Sequence, residues 1–374
     1  MSATGEDSAA VGINGNQSDN SALSAGAVYV FTRAGTTWTQ QAYVKASNSD
    51  AGDEFGTSVA LSADGATLAV GANAEDSAGF GNQTDNALTN AGAAYVFVRA
   101  GTTWNQQAYL KASNPGMGDR FGGAVTLSGN GSTLAVGAFF EGSGSVGVNG
   151  AQDEGAAVSG AVYVLTRVGT TWTQQAFVKA SNTSSGDLFG AAVALSADGA
   201  TLAVGAYGEE SAATGINGNQ TDNTAGSSGA VYAFSRSGTT WSQQAYIKAS
   251  NTGANDLFGR SFLALSGNGS TLVIGAGFED SADVGIDGNQ ADNNASDAGA
   301  AYMYMRTGTT WAQTAYVKPS NTGMSDRFGQ GGALSADGTT LAVGAELEDS
   351  ATVGIDGNQG DNAATDAGAV YVYR

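Results

Sequence analysis

Residues 229–276 read GAVYAFSRSGTTWSQQAYIKASNTGANDLFGRSFLALSGNGSTLVIGA, and nearly every other part of the chain is a further copy of this stretch. Its Trp recurs at Trp38, Trp104, Trp172, Trp241 and Trp311, at intervals of 66, 68, 69 and 70 residues. Its Phe-Gly pair recurs at Phe55, Phe121, Phe189, Phe258 and Phe328, and its Gly-Ala-x-Tyr at Tyr29, Tyr95, Tyr163, Tyr232, Tyr302 and Tyr371. Self-similarity at a fixed period marks a repeat architecture in which each unit buries its apolar surface on the next. The expected organisation is one domain over 1–374, with units near 26–91, 92–159, 160–228, 229–298 and 299–374 after an N-terminal loop over 1–25.

One unit reads as four strands, A to D. Strand A (TSVALS, residues 57–62) meets strand B (TLAVGA, residues 67–72) through a turn containing Asp-Gly or, in other copies, Asn-Gly, the strongest short hairpin signal. The continuous apolar run of strand B fits a strand covered on both faces. A polar connection of about twenty residues leads to strand C (GAVYVFTR), and a tight turn leads on to strand D (TTWTQQAYVKAS). This is the pattern of an all-β β-propeller with five four-stranded antiparallel blades, closed by strands from both termini. There are six copies of strand C for five blades. One of residues 26–33 and 368–374 is therefore expected to be spare and to promote self-association, since an unpaired strand is a template for pairing.

The chain has 14 basic and 34 acidic residues, a net charge of −20, and neither Cys nor His. Disulfides, thiolate and imidazole chemistry and Cys/His zinc sites are excluded. The charge disfavours nucleic acid. No apolar run reaches membrane-spanning length, and the first residues lack a signal-peptide layout. In an up-and-down blade the B–C and D–A connections share one face, and only Asp64, Asp198 and Asp337 among the acidic residues lie in A–B turns. That acidic face is the expected meeting place for a protein or glycan ligand, or for stacking into a homo-oligomer or filament.

Four B–C loops share an acidic pair followed by Gly-Ile-Asn/Asp-Gly-Asn-Gln-x-Asp-Asn. Oxygen ligands at this spacing suit Ca²⁺, best at Asp280, Asp287, Asn289, Asp292 and Asp297, and at Asp349, Asp356, Asn358, Asp361 and Asp366. The alternative is that these side chains only shape their own loops. The loop at Gly81 to Asn86 is a short form, and the one at Gly150 to Glu154 has lost the frame. An Asp precedes every Phe-Gly by two residues (Asp53, Asp119, Asp187, Asp256, Asp326), either binding a cation or, more simply, accepting backbone N–H bonds in the turn. The five Trp residues offer stacking faces for a lectin, or pack between blades with Trp38 opposite Arg33. Recurring carboxylates offer no unique pair for glycoside hydrolysis.

The unit FGAAVALSADGATLAVGA (residues 189–206), followed by GAVYAF, resembles the FG-GAP repeat of integrin α-subunits and bacterial surface proteins. The resemblance implies four-stranded blades, extracellular or cell-surface placement, and adhesion or ligand binding. The DxDxDG calcium turn of that family is absent, since the A–B turns carry a single Asp or Asn, and the family commonly has seven blades. The resulting expectation is a non-enzymatic extracellular binding or structural module, with a glycan-binding lectin as the alternative.

Overall fold

The computed structural model describes residues 1–79 and 83–374, in two compact units, Met1–Lys179 and Ala180–Arg374. Of the short loop at Gly81 to Asn86, the first two residues lie outside the described set. The first unit holds three antiparallel sheets. They are β1 (Ser2–Ala3), β2 (Ala27–Ala34) and β3 (Thr37–Val44); β4 (Ser58–Leu61), β5 (Thr67–Ala72), β6 (Ala93–Ala100) and β7 (Thr103–Leu110); and β8 (Phe121–Leu127), β9 (Thr133–Ala138), β10 (Ala161–Val168) and β11 (Thr171–Val178).

The second unit repeats the plan. Its sheets are β12 (Phe189–Leu195), β13 (Thr201–Ala206), β14 (Ala230–Ser237) and β15 (Thr240–Ile247); β16 (Leu263–Leu265), β17 (Thr271–Ala276), β18 (Ala300–Thr307) and β19 (Thr310–Val317); and β20 (Phe328–Leu334), β21 (Leu341–Ala345) and β22 (Ala369–Tyr373).

The described residues therefore form six β-propeller blades, not five. Ser2 and Ala3 pair with Val28 and Ala27, so the first C and D strands build a sheet with β1, and part of the expected 1–25 loop is strand. The last A, B and C strands form a separate sheet. Among the described residues no sheet combines strands from the two ends, and both copies of strand C are paired, β2 with β1 and β3 and β22 with β21.

Backbone contact explains the Gly-rich landmarks. A Cβ on Gly71 of β5 would lie 1.9 Å from the Gly122 carbonyl oxygen, and one on Gly205 would lie 2.0 Å from that of Gly259. The Gly of strand B at these positions, and Gly275 likewise, thus admits the Phe-Gly backbone of the following blade. Apolar side chains complete each seam: Val28, Ala42 and Val44 pack with Leu68, Val70, Tyr95, Phe97 and Trp104. The B–C loops fold back along strand D, making bridges Ile13↔Val44, Val148↔Val178, Ile216↔Ile247 and Ile286↔Val317 that cover an edge otherwise open to pairing.

Candidate functional site

Each blade carries a buried polar node built from the acidic pair of its B–C loop. Glu209 accepts from Lys248 Nζ (2.8 Å), Tyr246 Oη (2.8 Å) and Asn182 Nδ2 (3.0 Å), and Asn182 in turn accepts from Tyr232 Oη (2.6 Å). The same set recurs at Glu279 with Lys318, Tyr316 and Asn251, and at Glu75 with Lys111, Tyr109 and Asn48. Glu141 keeps Lys179 and Asn114, with Phe177 in place of the Tyr. Lys248 and Glu209 are 0% and 2% exposed, so these ions are held by each other and not by water. Burial pulls the Lys248 ammonium below its ordinary pKa, opposed by Glu209. Sequence reading missed the pairing, whose one signal is the recurring Glu-to-Lys separation of 36 to 39 residues.

The Asp before each Phe-Gly closes its own turn. Asp53 accepts from the Asp50 N–H at 2.9 Å, Asp119 from Gly116 at 2.7 Å, Asp256 from Gly253 at 2.8 Å and Asp326 from Gly323 at 2.7 Å. Burial pushes Asp53 up to about 8, Asp256 to about 7 and Asp119 to about 6, against the lowering effect of those N–H groups. A carboxyl whose folded pKa lies above its unfolded value stabilises the fold at low pH and loses that contribution as pH rises through the folded value. We expect the thermal midpoint to fall between pH 5 and pH 8, and Asp53→Asn to flatten that slope. An unchanged slope in a circular-dichroism melt series would remove Asp53 as a source.

The residues considered for Ca²⁺ also bond within their loops. Asp280 Oδ1 accepts from the Asp297 N–H (2.9 Å), Asp287 from Tyr316 (2.9 Å), Asn289 from Ala291 (3.1 Å) and Asp292 from Asn294 (3.1 Å). In the last copy Asp349 accepts from Asp366, Asn358 from Gly360 and Asp361 from Ala363. Asp287, Asp297, Asp356 and Asp366 take positive φ, where Asp is tolerated. Among the described residues no three carboxylates converge as a metal site. The third loop keeps the bridging half of the frame, with Asn149 Oδ1 accepting from the Phe177 N–H at 2.9 Å, so only its later half is lost.

The five Trp rings each lie over an Arg, at 5.8 Å for Arg33–Trp38, directly opposite in register, and 5.4–5.9 Å in the other copies. Trp104, Trp241 and Trp311 are 2–3% exposed and offer no open face to a sugar, Trp172 is half-buried, and Trp38 is exposed.

Five Arg and five Lys are thus taken up by the repeat. Of the four further cations, Arg374 follows the last strand, and Arg120, Arg260 and Arg327 break the pattern and flank the Phe-Gly landmarks. In the second unit they build a layered cluster. Arg260 lies 5.5 Å from the Tyr207 ring and 5.3 Å from Phe278, and Arg327 packs at 4.9 Å from Phe278. Arg327 reaches Glu346 at 3.4 Å, while its Nε is buried without a hydrogen-bond partner among the described residues. Arg260 is exposed and, among the described residues, its guanidinium has no hydrogen-bond or ion-pair partner. Glu346 and Gln330 also line a neighbouring cleft of about 430 Å³. In the first unit Arg120 stands 5.7 Å from the Phe140 ring.

Comparison with known proteins gives three findings. The chain is similar to solved structures of a periplasmic gluconolactonase from Pseudomonas aeruginosa (16% identity, 85% of this chain and 71% of that one, TM-score 0.47) and of a protein from Lactobacillus plantarum (15%, 85% and 70%, TM-score 0.48). It is also similar to a putative 6-phosphogluconolactonase from Bacteroides uniformis (10%, 85% and 84%, TM-score 0.40). These likenesses speak to fold alone. Two of the three are named as gluconolactonases, against the expectation of a non-enzymatic adhesion module, which is withdrawn. The comparison with curated proteins returned no match. No helix among the described residues is long and apolar enough to cross a membrane. The family model described as FG-GAP repeat matches residues 38–97, 104–165, 172–234 and 241–304, two-thirds of the sequence, each match running from strand D of one sheet to strand C of the next. The chain belongs to the FG-GAP repeat family.

Proposed function

We propose that this propeller binds a small anionic ligand, carrying a carboxylate or phosphate group, at the Arg260–Phe278–Arg327 cluster. The carrying observation is that Arg260 is an exposed guanidinium with no acidic partner among the described residues, in a chain of net charge −20. In a repeat protein, recurring residues specify the scaffold, and residues that break the repeat distinguish one surface from another. Guanidinium donors favour planar, bidentate recognition of carboxylate and phosphate. The Tyr207 and Phe278 rings hold Arg260 in place, and the cleft beside Gln330 and Glu346 gives room for the rest of a ligand.

Isothermal titration with citrate and with inorganic phosphate tests this reading. Arg260→Gln is expected to weaken binding at least tenfold, since a charge-assisted bond contributes about 1.5–3 kcal/mol. Equal affinity in the variant would refute the site. Proton release from a sugar lactone, followed in the same protein, tests turnover separately. Ca²⁺ binding in the B–C loops is a distinct proposal, decided by calorimetry on chelator-treated protein. The extracellular or cell-surface placement implied by the family is likewise proposed, and is tested by fractionating the cells that make the protein.

A further inference from the structure

Asn-Gly occurs five times, at Asn14, Asn130, Asn149, Asn217 and Asn268. In such a pair the backbone nitrogen of the Gly can attack the Asn side-chain amide, since Gly presents no Cβ to obstruct the approach. The Gly nitrogen adds to the Asn Cγ and gives up its proton to solvent, ammonia leaves, and water opens the resulting cyclic imide to Asp or to isoaspartate. The fold holds the five pairs in two different settings.

In the A–B turns the Gly nitrogen is engaged. Gly131 donates to the Ser128 carbonyl at 2.9 Å and Gly269 to the Ser266 carbonyl at 2.8 Å, and both glycines are buried. In the B–C loops Asn14, Asn149 and Asn217 are exposed, and Gly15, Gly150 and Gly218 are half-buried. Among the described residues, neither the N–H groups of those glycines nor the Nδ2 groups of the three Asn have a hydrogen-bond partner. Only the Asn Oδ1 is used, accepting from the N–H of Tyr43 (2.9 Å), Phe177 (2.9 Å) or Tyr246 (3.0 Å). That donor also steadies the negative charge that develops on the oxygen as the Gly nitrogen adds. Asp287 fills the same place in the following copy, at φ 55° against 54° for Asn217, and its Oδ1 accepts from the Tyr316 N–H at 2.9 Å. An Asp formed at position 217 therefore fits the loop as it stands.

We propose that Asn14, Asn149 and Asn217 are sites of spontaneous deamidation in the folded protein, and that Asn130 and Asn268 are protected by their turns. Each event adds one negative charge to its loop. The Asp product keeps the bond to strand D. The isoaspartate product lengthens the backbone by a methylene and, at position 217, loosens the adjoining bridge Ile216↔Ile247, uncovering an edge open to pairing.

Peptide mapping by mass spectrometry of the full chain, kept folded in mildly alkaline buffer, tests the assignment, with an isoaspartate methyltransferase counting the second product. Asn14, Asn149 and Asn217 are expected to gain one mass unit each, about tenfold faster than Asn130 and Asn268, because the A–B turn must first open to free its Gly nitrogen. In denaturant the five rates are expected to converge, and Asn217→Asp is expected to leave the thermal midpoint unchanged. Five sites reacting alike in the folded chain, or three unreactive B–C sites beside a reactive denatured chain, would overturn the proposal. A ranking that persists in denaturant would assign the difference to local sequence and overturn it equally, and a lowered midpoint in Asn217→Asp would refute the fit of the product.

Discussion

Lys248→Met is expected to destabilise the protein by about 3–5 kcal/mol, because it leaves the Glu209 carboxylate buried without its counter-ion. The Lys248 side chain is fully buried and Glu209 2% exposed, so water cannot replace the ammonium in the folded state. Tyr246 and Asn182 would still donate to Glu209, but neither carries charge. The double variant Glu209→Gln with Lys248→Met should recover most of the loss, since the amide oxygen still accepts those two bonds and no net charge remains buried. Thermal midpoints of the single and double variants decide the matter. A single variant no less stable than the double would show that the ion pair is not the source of the effect.

Gly275→Ala should cost about 3 kcal/mol, at the upper end of overpacking. Its Cβ would lie 2.0 Å from the Gly329 carbonyl oxygen and 3.2 Å from the Phe262 Cβ, so two paired backbones would have to part. The same motif position in the last blade is Gly344, whose added Cβ meets nothing nearer than the Gly331 oxygen at 3.6 Å, an ordinary contact. Gly344→Ala is therefore expected to shift the thermal midpoint little. Equal losses at the two positions would mean that the strand, and not the seam, requires glycine.

Much of the fold was legible because it is written repeatedly. Strand B was read as residues 67–72, which is β5, and the turn length that set Arg33 opposite Trp38 gave the observed register. The sixth blade escaped because its sign is β1, two residues without periodicity, whose pairing depends on tertiary position. The polar nodes escaped for a different reason. Glu and Lys separated by nearly forty residues read as surface charges, and only the return of strand D past the B–C loop brings them together. Counting what recurs also drew attention away from what does not, so Arg260 and Arg327 emerged only once the repeated cations had been accounted for in space.

The Asn after strand D has a consequence for how such chains lengthen and shorten. Asn48 and Asn251 each follow one blade yet bond the Glu and Tyr of the next, through Glu75 with Tyr95 and Glu279 with Tyr302. Half of every latch is therefore encoded upstream of the seam and half downstream. A duplication or deletion of one whole period, wherever its breakpoints fall, joins an upstream half to an equivalent downstream half. Changes of other lengths are accommodated in the B–C loop, where the Glu-to-Lys separation runs from 36 to 39 residues with the same bonds kept. Blade number is thereby free to drift in whole steps while length varies only in the loop that each latch pins at both ends.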